Sequence, residues 1–70
     1  MEAPKSYQAA IECDARGAAE HVAEWRHEFS SQNACLRYAA DWANRNRIGW
    51  SRHARRALTF AVRAAVKKAW

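Results

Sequence analysis

Proline occurs once and glycine twice in 70 residues, so the chain has few breakers: Pro4, Gly17 and Gly49. β-Branched residues are nearly as scarce, being confined to Ile11, Val22, Ile48, Thr59, Val62 and Val66. Strands need such side chains on a pleated face, whereas alanine, present 17 times here, is the strongest helix former. An all-α fold follows. After His53 the longest stretch without a charge or histidine is Ala57 to Val62, which is too short to span a bilayer. No apolar segment of the signal-peptide kind follows Met1, and the expected location is the cytoplasm, with both thiols reduced.

The reactive residues are also sparse. Cys13 and Cys35 form no Cys-x-x-Cys pair, and His21, His27 and His53 are scattered. Cys13 and His21 would be about 12 Å apart along one helix, too far to share a zinc ion. The two glycines are far apart in sequence, so no glycine-rich phosphate loop exists. No motif ties a nucleophile to a base, and a helical chain of this length leaves little room for a concave pocket. The sequence therefore predicts a non-enzymatic protein with no metal and no cofactor.

What the sequence has in quantity is positive charge: 12 Lys+Arg against 7 Asp+Glu, a formal +5. It is unevenly placed. Residues 1–28 carry a net −3, and residues 29–70 carry a net +8, with Asp41 the single acid there. Arginine outnumbers lysine nine to three, and guanidinium suits bidentate contacts to phosphate or carboxylate. A genome rich in G and C also favours alanine and arginine together, so composition alone does not establish use.

The pattern divides into a short tail (1–5) and one helical domain (6–70), with helices expected over about 6–29, 34–45 and 52–69. Ser6 is the expected cap of the first helix, Ser30 to Asn33 offer caps for the second, and Ser51 caps the third. Gly49 suits a left-handed turn position. Gly17 reads as tolerated or as a point of close helix approach. In helix one, Ile11, Ala15, Ala18, Val22, Trp25 and Phe29 step by four and three, a heptad seam. That seam serves equally as a homodimer interface or as the helix's face toward its own bundle. The expected architecture is a small three-helix bundle or an open helical hairpin, completed in one version by dimerisation.

Function rests on the third helix. At about 100° per residue, Arg52, Arg56, Arg63 and Lys67 fall within roughly 60° of each other. Arg55 and Lys68 flank other sides of the helix, and the preceding loop adds Arg45, Arg47 and Trp50. Cations at helical spacing can follow phosphates, and an aromatic beside them can stack on a base. The leading expectation is nucleic-acid binding through Arg45, Arg47, Arg52, Arg55, Arg56, Arg63 and Lys67. A helix-turn-helix is disfavoured because the link from about Asn44 to Ser51 exceeds the usual tight turn.

Three competing uses stand beside it. Glu20, Glu24 and Glu28 could neutralise the stripe, within the chain or across a dimer. Trp50 and Trp70 could anchor an acidic partner protein, since Trp and Arg are frequent interface anchors; Trp50 could instead fold back over the core. The chain would then be an interaction module that inhibits or modulates its partner, as accessory proteins of phages and plasmids of similar size do. Contact with a membrane surface through Phe60 and Trp70 is disfavoured, because Phe60 lies near the basic stripe and not on the apolar face.

Overall fold

A computed structural model describes residues 5–70, with side chains from Tyr7 onward. Three helices follow in order: α1 over Lys5–Glu28, α2 over Gln32–Asn44 and α3 over Arg52–Ala69. They pack as a three-helix bundle, not as an open hairpin, and α3 is the central member. It meets both α1 and α2 more extensively than those two meet each other. The molecule measures 34 × 19 × 17 Å.

The caps explain the helix boundaries. Ser31 Oγ accepts from the Ala34 amide at 3.2 Å and starts α2 two residues earlier than the apolar pattern predicts. Ser51 Oγ accepts from Ala54 N at 3.2 Å and starts α3 at the expected place. Each such cap contributes about 1 kcal/mol. Ser6 lies inside the helical run, so it is not the boundary residue expected of it. Of the expected tail, Lys5 is helical and residues 1–4 lie outside the described residues.

The connection 45–51 is built from two turns. The Arg47 amide donates to Asn44 O and the Trp50 amide donates to Arg47 O, each at 3.1 Å. Gly49 sits inside the second turn, and no described glycine has positive φ. The left-handed role expected of Gly49 is therefore absent. A turn of negative φ accepts most residues, which removes the need for glycine here.

The core collects one stripe from each helix: Ile11, Ala18, Val22 and Trp25 from α1, Cys35, Leu36, Ala39 and Ala43 from α2, and Leu58, Val62 and Val66 from α3. Alanines bury little area but let the helices approach, and aromatic rings fill the remaining volume. Trp25 lies edge-on to Trp42 at 5.4 Å and to Tyr38 at 5.6 Å, and Phe29 joins Tyr38 at 5.0 Å. Gly17 is part of this packing. A Cβ on it would lie 3.1 Å from Trp42 Cη2, so the missing side chain makes room for a ring of α2.

The heptad seam of α1 is spent inside the chain. Ile11, Ala18, Val22 and Trp25 are buried in the single chain's own core, and Ala15 and Phe29 are half-buried. This face closes on α2 and α3, so it is not the free dimer surface that its spacing also allowed.

Cys13 is exposed and Cys35 is fully buried. Burial pushes the Cys35 thiol above its ordinary 9.0. Folding thus disfavours its thiolate, and this site contributes no stability change until pH rises past the unfolded value of 9.0, above which stability falls. We expect one thiol to react with a disulfide reagent at neutral pH in the native protein, and the second only on unfolding. Two equally fast thiols would contradict the packing of α2.

Candidate nucleic-acid interface

The exposed side of α3 carries Arg52, Arg55, Arg56, Arg63 and Lys67, all solvent-facing. Their position follows from the opposite face. Ala54, Leu58, Val62 and Val66 are fully buried, which turns the intervening residues outward. Two of these cations, Arg52 and Arg55, occupy an awkward place on the helix. Its first turn holds Arg52, His53 and Arg55 but no acid. Positive charge at a helix N-terminus opposes the macrodipole, at a cost of about 0.3–1 kcal/mol per charge in low salt.

Between the end of α2 and α3 lies an open groove of about 650 Å³, lined by Asn44, Arg55, Arg56, Thr59, Phe60, Arg63, Ala64 and Lys67. It exceeds the concavity expected of so short a chain, although it is a trough open to solvent. A polar staple holds its walls. Asn44 Nδ2 donates to Thr59 Oγ1 at 3.0 Å and to Ala40 O at 2.8 Å. Thr59 Oγ1 in turn donates to Arg55 O at 2.9 Å. Both hydrogens of the Asn44 amide are thereby committed, and α2 is fixed to the helix that carries the cations.

Within the chain, the described acids of α1 form no ion pair with the cations of α3. Among the described residues the ion pairs are Arg47–Asp14, Arg45–Asp41 and the weak His21–Glu24 contact. Glu20, Glu24 and Glu28 are exposed and meet no arginine or lysine of α3 within ion-pair distance. Arg52, Arg55, Arg56, Arg63 and Lys67 form no ion pair among the described residues.

Two of the expected cations stand apart. Arg45 pairs loosely with Asp41 at 3.8 Å, one turn back on α2, and both are exposed. Arg47 is used by the fold. Its Nη2 donates to Asp14 Oδ2 of α1 at 2.8 Å, with side-chain exposures of 26% and 17%. Its guanidinium also lies 5.1 Å from the Trp50 ring centre. Its Nε is buried without a hydrogen-bond partner, so this arginine is committed to the interior side of the loop. Arg47 therefore does not join the α3 surface.

The two expected anchors are also occupied. Trp50 stacks on Tyr7 at 4.5 Å, beneath Arg47, and packs against the core. It is the lid that closes the open end between α1 and the loop. Trp70 is half-buried against the core, with the Arg26 guanidinium 5.6 Å from its ring. Both tryptophans are half-buried, each packed in part against the core.

An aromatic of the surface does exist, in Phe60. It is 71% exposed and sits in the groove among Arg56, Arg63 and Lys67. The signal was in the spacing: Arg56, Phe60, Arg63 and Lys67 step by four, three and four along one line of α3.

The Arg47–Asp14 pair gives a separate prediction. Replacing Asp14 by alanine leaves a half-buried guanidinium without its acceptor. We expect a loss of about 1–3 kcal/mol in denaturant unfolding. A change below about 0.5 kcal/mol, the range of an ordinary surface pair, would show that the clamp is not structural.

No group of three or more His, Cys, Asp or Glu able to hold a metal ion occurs among the described residues, and no described helix is long and apolar enough to cross a membrane. Comparison with family models, with curated proteins and with solved structures gives no match.

Proposed function

We propose that this protein binds nucleic acid, as a binder and not as an enzyme, through the exposed cationic face of α3. The observation that carries this reading is the set of five exposed cations of α3, Arg52, Arg55, Arg56, Arg63 and Lys67, of which the last four line one groove and none forms an ion pair among the described residues. Their mutual repulsion, and the placement of Arg52 and Arg55 in the first turn of α3 against the helix dipole, make the empty surface electrostatically unfavourable. A polyanion relieves both at once, releasing counterions as it binds. The lining of the groove supports binding over catalysis, since it carries no carboxylate, thiol or imidazole. Capture of an acidic protein is less well supported, because Trp50 and Trp70 are packed against the core.

The test is fluorescence anisotropy with a labelled mixed-sequence oligonucleotide at about 50 mM salt. The wild-type chain and Arg37→Gln, altered on exposed α2 outside the groove, should bind alike. The double variant Arg56→Gln/Arg63→Gln should bind more weakly by at least about tenfold. No binding by the wild type at that salt removes the proposal.

A further inference from the structure

Phe60 is an unusual residue to leave in the open. It is 71% exposed, and among the described residues the other large hydrophobic side chains, Ile48 apart, are buried or half-buried. It stands on α3, in a groove lined by Arg55, Arg56, Arg63 and Lys67. We propose, resting on the nucleic-acid reading above, that Phe60 is a stacking platform for an unpaired base and that the ligand of this groove is a single strand.

The geometry separates the two forms of nucleic acid. In a duplex the base faces are covered by their neighbours, and a protein meets only edges and phosphates. An aromatic face can then gain stacking only by wedging a base step open. A single strand offers every base face, and aromatic side chains beside a positive groove are the usual means of holding it. Here Arg56 stands about one turn before Phe60, and Arg63 and Lys67 stand one and two turns after it. The distance from Arg56 to Lys67 is about 16 Å along the axis. A backbone laid along that line meets a cation on each side of the ring. The groove opens to solvent, which gives a strand access to Phe60. Stacking on Phe60 is open to any base, since every base has a π-face. Binding should therefore depend weakly on sequence.

The experiment compares a labelled strand of about a dozen nucleotides with the duplex of the same sequence, against the wild type, Phe60→Ala and Phe60→Tyr. Phe60 is exposed, so neither substitution disturbs the core. The strand should bind more tightly than the duplex. Phe60→Ala should weaken the strand by about five- to 150-fold and the duplex by less than about twofold, and Phe60→Tyr should restore the strand. Equal affinity for strand and duplex, neither changed by Phe60→Ala, overturns the stacking proposal and leaves phosphate binding standing. A duplex weakened as much as the strand also overturns it, making Phe60 a wedge. If neither is bound while anionic lipid vesicles are, this inference and the reading beneath it both fail.

Discussion

Leu58→Ala should leave the chain largely unfolded at room temperature. Leu58 is fully buried in the middle of α3, the helix that touches both others. Truncating a buried leucine costs about 2–5 kcal/mol, the range reflecting how far neighbours can collapse into the space. The core that Leu58 belongs to is rich in alanine, with Ala39 and Ala43 on α2 and Ala18 on α1, small residues poorly suited to fill a void. A core of this size rarely provides more than about 3–5 kcal/mol in total. Helical circular dichroism should therefore fall to that of an unfolded chain, or persist only on cooling to the temperature of greatest stability. A variant that unfolds with the wild-type midpoint would mean that α3 is not the centre of the bundle.

The second large effect is electrostatic and separates stability from binding. Arg52→Glu/Arg56→Glu/Arg63→Glu replaces three exposed cations on the outward face of α3. At about 0.1 M salt it should reduce affinity for nucleic acid by at least about a hundredfold, since each phosphate contact contributes close to a factor of ten there. The same change should not destabilise the fold. An acid at position 52 lies at the start of α3, where the dipole favours negative charge by about 0.3–1 kcal/mol. Unfolding in denaturant should thus occur at an unchanged or higher midpoint. A variant that loses binding and stability together would show that the arginines serve the fold.

That opposition between charge and helix also marks how far the sequence could be read. Helical content, the bounds of α3 and the inward face of α1 follow from periodicity, because apolar spacing and serine caps act over one or two turns. Ser51 and the Leu58, Val62 and Val66 stripe are local features, and they hold. The start of α2 was legible only to within two residues, because Gln32 and Asn33 carry no apolar signal although Ser31 caps them.

What the sequence could not show is pairing over distance. Arg47 and Trp50 look like part of a basic, aromatic loop, and only folding brings Asp14 and Tyr7 to them. Their local chemistry suits a ligand as well as it suits a clamp, and the partners are on another helix. Glu20, Glu24 and Glu28 present the reverse case. Their spacing suggests a match to α3, but the bundle turns them to solvent. Gly17 is similar, since the Trp42 ring that needs its space belongs to α2. Phe60 was legible as lying near the stripe. Its role required the groove, which forms only where the end of α2 meets α3.

The proposed function requires that the exposed cations of α3 meet phosphates. Its most direct test is the slope of log affinity against log salt for a single strand, from about 50 to 200 mM. Five engaged cations predict a slope of roughly −3.5 for the wild type, and about −1.5 for the variant with Arg52, Arg56 and Arg63 changed to alanine. A slope near zero, or one that the three substitutions leave unchanged, would contradict the claim.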